Sequence, residues 1–301
     1  MNPSASSKPG PLSEPEADAL IIEVQRQLNT DSFDSSDARM LTQLVEGFND
    51  KRGMKRLAFA EILGRVGTPA TPAITEGLLN HDNPAVRRAC AKTMTLIADR
   101  STIPTLVSAL LNDEDTVVRG SSVGALAVMG EAAAPVLIDI IASDDYPDSS
   151  KGLATWALSF IGTAGADHLY KAIEAEQEEV RSAAVGALAT LVQEEEDAKA
   201  LSLILRSLND ESLMVRSEAA AALGKLDNRE VVSDLAAVLG DEESVVRKTA
   251  ALALMKIGAQ SAIAPLQTAL QKETDEEIKP AISLAISQLK KKQESEEDSW
   301  N

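Results

Sequence analysis

Aromatic residues are scarce in this chain of 301 residues: they make up 3% of it, and two of them are tryptophan. Cysteine occurs once, as Cys90, and histidine occurs twice. A single cysteine cannot form a disulfide within the chain, and so few His and Cys residues cannot supply a structural zinc site. Because the sequence also lacks a P-loop, a G-x-G-x-x-G run and an H-E-x-x-H motif, it predicts no metal site and no self-contained catalytic motif.

Positive charge is also in short supply. The chain has 29 Lys and Arg residues against 47 Asp and Glu, which gives a net charge of −18. Nucleic acids attract clustered Lys and Arg, so we expect no nucleic-acid partner. No apolar run reaches the roughly 18 residues of a transmembrane helix, and the N-terminal residues lack the pattern of a secretory signal. We therefore expect a cytoplasmic protein without an integral membrane segment.

What the chain does contain is a repeat. Segments such as "VRKTAALALMKIG" and "VRSEAAAALGKL" follow the pattern V-R-x-x-A-x-x-x-L, and most of them come after a short helical pattern and an acidic turn. Spaced 30 to 35 residues apart, the basic residues that mark the repeats are Arg56, Arg87, Arg119, Lys151, Arg181, Arg216, Arg247 and Lys279. Each unit therefore predicts two helices joined by an acidic turn.

The repeat resembles short HEAT repeats, and this resemblance implies an all-α fold, an α-α superhelix (solenoid) of about eight repeats. A leading helix is predicted near residues 14–29, before eight complete pairs. We assign residues 13–289 to the solenoid, and residues 1–12 and 290–301 to disordered tails because they are rich in Pro, Ser and charge. In every unit the basic residue follows an acidic turn, a pattern that predicts a ladder of Arg–Asp/Glu pairs between repeats.

Helical periodicity separates the two sides of the second helices. If the residue before the repeated basic residue is position 0, then positions 0, 4, 8 and 11 fall within about 80° and face the core. Cys90 occupies position 4 and is predicted to be buried. Positions 2 and 6 lie opposite, and in HEAT solenoids the second helices line the concave surface. Trp156 occupies position 6 of a central repeat, so we expect its side chain on that concave face.

Glycines surround Trp156 in this pattern. Gly124 and Gly186 occupy position 6 of the neighbouring repeats, and Gly120 and Gly152 occupy position 2. Glycine within a helix costs about 0.5–1 kcal/mol relative to alanine, so four of them predict a trough in which a flat ligand stacks on the indole. The alternative is a packing role, in which the tryptophan fills space between curved neighbours and the glycines relieve crowding.

Charged and aromatic residues complete the predicted site. Two basic residues stand one repeat beyond the trough and could bind the carboxylates of a ligand. The turn "ASDDYPDSS" is expected to overhang the same face. The predicted ligand- or partner-binding residues are Arg88, Lys92, Gly120, Gly124, Asp144, Asp145, Tyr146, Gly152, Trp156, Phe160 and Gly186.

The segment "KGLATWALSFIGTAGADHLYKAIEAEQEEVRSAAVGAL", together with "VRSEAAAALGKL", resembles the cyanobacterial HEAT-like proteins related to phycobilin lyases, including the chromophore-detaching type. The resemblance implies a phycobilin as transient ligand with no permanently bound cofactor. It also implies a phycobiliprotein subunit or another protein as partner, and a second HEAT-like lyase subunit as a further one. Lyase subunits of this family carry a Y-Y-A-A-W-W-L-G segment, whereas the corresponding stretch here, "RLAFAEILGRVG", has Phe59 as its sole aromatic residue.

Two functions are compatible with these patterns. The first is a phycobilin lyase-like protein that binds a bilin, or a bilin-carrying subunit, in chromophore attachment or removal. The second is a non-enzymatic scaffold or assembly chaperone for cofactor-bearing proteins. The sequence leaves open whether the protein is an enzyme, because the nucleophile of bilin attachment belongs to the acceptor protein.

Overall fold

A computed structural model of the protein describes residues 10–298. All regular structure in this range is helical, and these residues contain no β-strand. A leading helix, α1 (Glu14–Asn29), is followed by eight helix pairs, so the predicted fold class and the number of repeats are confirmed.

The first helices of the pairs are short, and four of the eight carry a proline near their start. Proline suits a helix start because the first N–H groups of a helix have no partner within it. These helices are α2 (Ala38–Glu46), α4 (Thr71–Asn80), α6 (Ile103–Asn112), α8 (Ala134–Ala142), α10 (Ala166–Ala172), α12 (Ala198–Ser207), α14 (Val232–Val238) and α16 (Ile263–Lys272).

The second helices contain the repeated V-R-x-x-A pattern. They are α3 (Gly53–Val66), α5 (Pro84–Ile97), α7 (Thr116–Val128), α9 (Asp148–Ser159), α11 (Glu178–Glu195), α13 (Leu213–Leu223), α15 (Ser244–Ile257) and α17 (Lys279–Asp298). Helix α17 continues beyond residue 289, into the segment predicted to be a disordered tail. Its last turns are rich in Lys, Gln and Glu, which are good helix formers that need no apolar contact. Residues 1–9 and 299–301 of the predicted tails lie outside the described range.

Seven of the eight second helices bury the first, fifth and ninth positions of the repeat, where Val, Ala and Leu are common; in α3 the first of these positions is the half-buried Lys55. In α13 these are Val215, Ala219 and Leu223, all fully buried. Burial of a Val or Leu side chain contributes roughly 1.5–3 kcal/mol, so the periodic stripe drives the stacking of neighbouring pairs. Cys90 occupies the alanine position of α5 and is buried, as predicted.

Two compact units make up the chain. The first contains α1–α7 with Tyr146–Ala157, and the second contains Ile138–Asp145 with the residues from Leu158 onward. Within the first unit, α3, α5 and α7 pack in succession, and within the second unit α11, α13, α15 and α17 do the same.

An arginine ladder joins successive repeats inside these units. Arg216 donates from Nε to Asp241 Oδ2 (2.8 Å) and from Nη2 to Asp241 Oδ1 (3.0 Å). Its Nη1 donates to the backbone carbonyls of Asp210 (3.0 Å) and Glu211 (3.1 Å) in its own turn. The guanidinium therefore bonds both the turn of its own repeat and the turn of the next. Its side chain is buried there, with 9% exposed.

The same arrangement recurs at three other repeats, which confirms the predicted ladder there. The corresponding pairs are Arg87 with Asp113, Arg181 with Asp210, and Arg247 with Glu273. The two bonds from Arg247 are the chief reason that the pKa of Glu273 falls to about 2.

Two other repeats that carry an arginine use different acceptors, and Lys279 of the last repeat pairs with Glu276 of its own turn (2.6 Å). Arg56 donates to the carbonyls of Asp50 (2.7 Å) and Lys51 (3.1 Å), while His81 stands where the acid of the next turn would be. Arg119 donates to the carbonyl of Leu110 (2.8 Å) and to Ser150 Oγ (3.2 Å). The guanidinium thus has a backbone carbonyl acceptor in both of these repeats.

Replacing Arg216 by Ala should lower the free energy of unfolding by about 1–3 kcal/mol, because it removes a buried charged hydrogen-bond donor and leaves Asp241 unpaired. Urea unfolding at pH 7 measures the change. Arg206→Ala is the matched control, because Arg206 pairs with Glu174 through side chains that are 57% and 63% exposed, and its loss should cost less than about 1 kcal/mol. Equal losses in both variants would contradict a structural role for the ladder.

Candidate functional site

The outward side of the second helices is the side that the periodicity predicted to lie opposite the core. At position 6 of the repeats, Lys92, Gly124, Trp156 and Leu284 are exposed. Trp156, on α9, exposes 47% of its surface, and Phe160, just after α9, exposes 58%. Large aromatic side chains usually lie largely buried in soluble proteins, so both residues need a reason to be there.

In the first unit, the predicted site has an open surface beside the tryptophan's helix. Arg88 is half-buried and Lys92 is exposed on α5, which packs against α7. Gly120 and Gly124 lie on α7, and a Cβ added to either would meet nothing within 4 Å. The backbone of α7 is therefore accessible between these glycines, and a planar group could approach it closely.

The remaining residues of the first unit lie at the start of α9. Gly152, at position 2, is exposed, and a Cβ added there would also meet nothing within 4 Å. Tyr146 is half-buried in the preceding turn. Three of the four predicted glycines thus leave open space, as a trough requires.

The second unit contains the other predicted residues. Asp144 and Asp145 are exposed, and the backbone N–H of Asp145 donates to Ser143 Oγ (3.1 Å). Gly186, on α11, differs from the other glycines. A Cβ added to Gly186 would lie 3.2 Å from Oε1 of Glu218 on α13, so a carboxylate occupies the space that the sequence pattern predicted to be open. The eleven predicted residues are therefore divided between two units, and their roles stay predictions.

Glu218 is the residue that the sequence reasoning missed. Its side chain is 32% exposed, and its Oε1 lies 3.9 Å from Nζ of Lys225. Burial raises the pKa of Glu218, and the charge of Lys225 only partly opposes that rise. The sequence did contain a signal, because Glu218 occupies position 3 of its repeat and no other repeat has a charged residue there. The other residues at this position are Ala58, Ala89, Ser121, Leu153, Ala183, Thr249 and Ala281.

Chemical groups for nucleophilic catalysis are not assembled here. Residues 120–124 spell G-S-S-V-G, which matches the G-x-S-x-G pattern of hydrolase nucleophiles. That motif requires a strand-to-helix turn, whereas these residues lie within α7 and Ser122 is buried with its Oγ donating to the carbonyl of Val118 (3.1 Å). Burial also raises the pKa of the Cys90 thiol, which keeps it protonated and inert.

Neither a metal site nor a membrane-spanning helix is found in the described range. Residues 10–298 contain no group of three or more His, Cys, Asp or Glu side chains that could hold a metal ion. None of their helices is long and apolar enough by itself to cross a membrane, although the bent pair Thr116–Val128 and Gly130–Ala142 meets the length and composition criteria together.

Comparison with known proteins identifies relatives along almost the whole chain. The HEAT repeats family model matches residues 38–127, 71–159 and 202–287, which confirms the predicted repeat type. The chain is 38% identical over 281 residues to the bilin biosynthesis protein MpeU of Synechococcus sp. (strain WH8020), a match that covers 93% of this chain and 95% of that protein. The resemblance to bilin-related HEAT proteins is therefore confirmed.

The solved structure of the karyopherin Kap121p has the same fold class at low identity. The karyopherin Kap121p, bound to the extreme C-terminus of the protein phosphatase Cdc14p, is 14% identical with a TM-score of 0.55, covering 93% of this chain and 38% of that one. CpcE and CpcF of phycocyanin lyase from Nostoc sp. PCC7120 give 17% identity and a TM-score of 0.33, with coverage of 83% and 94%. At these identities the likeness concerns the fold alone.

Trp156→Ala should cost about 1 kcal/mol of stability or less, because about half of the side chain is already in water. A tryptophan buried in the core would lose roughly 3–5 kcal/mol on the same truncation. Urea unfolding of the original protein and of Trp156→Ala gives the difference in the free energy of unfolding and so separates these cases. A loss in the larger range would show that the tryptophan packs the fold and that a ligand site must be sought elsewhere.

Proposed function

Because this chain belongs to the family of HEAT-repeat proteins that includes the bilin biosynthesis protein MpeU, we propose that it is a phycobilin lyase-like protein. In this proposal it binds a bilin, or a phycobiliprotein subunit that carries one, during chromophore attachment or removal. The observation that carries the proposal is the 38% identity to MpeU along 93% of the chain.

The exposed face of the second helices suits such a ligand. A bilin is a long conjugated tetrapyrrole, so an exposed indole with open glycine backbone beside it offers a stacking platform. Trp156 supplies the platform, and the propionate groups of the bilin would find cations at Arg88 and Lys92. Asp144, Asp145 and Tyr146 are polar groups that could contact the acceptor protein.

The absence of an activated nucleophile among the described residues is compatible with this role. In bilin attachment, a cysteine of the acceptor phycobiliprotein attacks the chromophore, so the lyase contributes binding, orientation and proton transfer. Cys90, buried within the stack, is not available for that attack. We infer that the bilin is a ligand in transit and that the protein works in the cytoplasm, with a phycobiliprotein and a second HEAT-like subunit as partners.

A non-enzymatic role as a scaffold or assembly chaperone is the second candidate. The observation that favours it is the number of exposed apolar side chains outside the predicted site. Leu57, Leu96 and Val128 expose 48%, 55% and 54% of their surfaces in the first unit. Apolar residues spread over several repeats suit an extended protein segment better than one small ligand.

Titration with phycocyanobilin tests the proposal. The purified protein is mixed with micromolar bilin, with and without an acceptor phycobiliprotein subunit, and absorbance and visible circular dichroism are recorded. A lyase-like protein should give a red-shifted band and induced dichroism. If neither signal appears in either mixture, while the acceptor subunit alone binds the protein, the scaffold role is the correct one.

Two substitutions should weaken bilin binding without unfolding the protein. Trp156→Ala removes the stacking surface, and Gly124→Leu fills the open space on α7, so each should raise the Kd at least ~30-fold, a loss of about 2 kcal/mol. Stability should be unchanged or slightly higher for Gly124→Leu, because leucine is the better helix former. Fluorescence or absorbance titration measures the Kd.

The matched control is Leu284→Ala. Leu284 also occupies position 6 of its repeat and is 48% exposed, almost the same fraction as Trp156. It should leave the Kd within about twofold of the original. Comparable losses in Leu284→Ala and Trp156→Ala would place the binding energy on a general apolar surface rather than on the tryptophan.

A further inference from the structure

A small cavity of the first unit lies between two consecutive first helices, α2 and α4, and we call it the α2/α4 cavity. Its volume is about 160 Å³, and none of the residues proposed to bind a bilin lines it. Val45, Ala73 and Gly77 form an apolar wall, and Glu46 and His81 are among its polar residues. Sites for drug-sized ligands measure roughly 300–1,000 Å³, so this cavity is too small for a tetrapyrrole but has room for one side chain.

Glu46 is the acid that lies deepest in the solvent-shielded part of the cavity, since only 12% of its side chain is exposed. Its Oε2 accepts a hydrogen bond from Asn49 Nδ2 (2.9 Å), and its Oε1 lies 3.5 Å from His81 Nε2. Within the described residues, no arginine or lysine pairs with Glu46, whereas every acid of the ladder has its arginine. A carboxylate that has lost most of its water favours a cationic partner, and Glu46 lacks one in the chain.

His81 does not replace that partner in its neutral form. Its Nδ1 accepts the backbone N–H of Asn83 (3.0 Å). A neutral imidazole has one donor and one acceptor nitrogen, so its proton is then on Nε2, the nitrogen nearer Glu46. The ring can therefore donate a long hydrogen bond to the carboxylate without neutralising its charge.

The second unit has a cavity at the corresponding place, and there the chain supplies an arginine. Arg206 lines this cavity and pairs with Glu174, which follows α10. The two cavities share four positions of the repeat: Arg206, Asn209, Asp210 and Glu211 of the second unit correspond to Gly77, Asn80, His81 and Asp82 of the first. The position that carries the guanidinium in one repeat is thus a glycine in the other.

Close packing of α2 on α4 explains why the chain has glycine there. A Cβ added to Gly77 would lie 2.8 Å from Cys90 Sγ and 2.8 Å from Val45 Cγ1, which is closer than real contacts of this kind. No side chain can therefore start from this position without moving its neighbours, and a cation for Glu46 has to come from outside the chain.

We propose that the α2/α4 cavity binds the side chain of an arginine that a partner protein presents, with the guanidinium on Glu46 and the aliphatic stem along Val45 and Ala73. A guanidinium is planar, is less strongly hydrated than an ammonium group and can bond a carboxylate through two N–H groups, so it suits a half-buried acid better than lysine does. Asp82, which is exposed and also lines the cavity, adds negative charge that attracts the cation. This interaction surface is separate from the proposed bilin surface and does not depend on it.

Proton NMR of the histidine rings tests the proposal on the full chain. The probe is Nα-acetyl-argininamide, and the control ligand is Nα-acetyl-citrullinamide, which has the same shape but no charge. The chain has two histidines, so His81 reports on the cavity, and His168 on α10 of the second unit is the internal reference. We expect the His81 signals to move and to saturate with a Kd in the millimolar range for the arginine probe, while the His168 signals stay in place.

Three variants locate the binding site. Glu46→Gln keeps the shape of the side chain but removes its charge, and Ala73→Leu fills the cavity while leaving Glu46 in place, so each should raise the Kd at least tenfold. Glu61→Gln is the matched control, because Glu61 is an exposed acid on α3 of the same unit and does not line the cavity. It should leave the Kd within twofold of the original. Urea unfolding identifies any variant that does not fold, and Ala73→Leu keeps the test decisive if Glu46→Gln is one of these.

Three results would overturn the proposal. They are His81 signals that do not move with the arginine probe, equal binding of the citrulline probe, and a Kd that is unchanged in both Glu46→Gln and Ala73→Leu. None of them bears on the proposed function, which is tested by the titration with phycocyanobilin.

Discussion

At four of the repeats, an arginine that is buried in the turn region holds the repeat to the next one. A guanidinium taken out of water needs most of its donors filled, and no single turn can fill them. In the case of Arg216, its own turn offers two carbonyl oxygens and the following turn offers a bidentate carboxylate, Asp241. These bonds offset the cost of desolvating the charge only when two consecutive repeats stand in one fixed register. The arginine therefore fixes the spacing between similar repeats.

The arginine pairs lie in the turns, so the outward side of the second helices takes no part in them. Two carboxylic acids illustrate the difference. Glu273 belongs to the ladder, and its pKa falls to about 2 because Arg247 bonds its charged form. Glu218 lies on the outward side, and burial raises its pKa because no arginine compensates for the lost water. The first acid stabilises the fold when ionised, whereas burial disfavours the ionised form of the second.

Features that recur in several repeats could be predicted from the sequence. Residue types that recur at the same position of the repeat predicted three features. These are the helix pairs, the buried Val, Ala and Leu positions, and the ladder at Arg87, Arg181 and Arg216. Single departures could not be predicted, because they depend on where one helix meets the next. The space beside Gly186 looks open in one helix alone, and only the packing of α11 against α13 brings the carboxylate of Glu218 into it.

The surface that we propose to bind a bilin has open glycines in the first unit. A glycine within a helix costs roughly 0.5–1 kcal/mol relative to alanine, and at Gly120, Gly124 and Gly152 an added Cβ would contact nothing. Packing within the protein therefore does not require glycine at these positions, and alanine would strengthen the helices. What a methyl group would obstruct is the approach of an outside molecule to the backbone. A bilin, the ligand that we propose, is an extended conjugated system, which cannot turn around a methyl group as a flexible chain could.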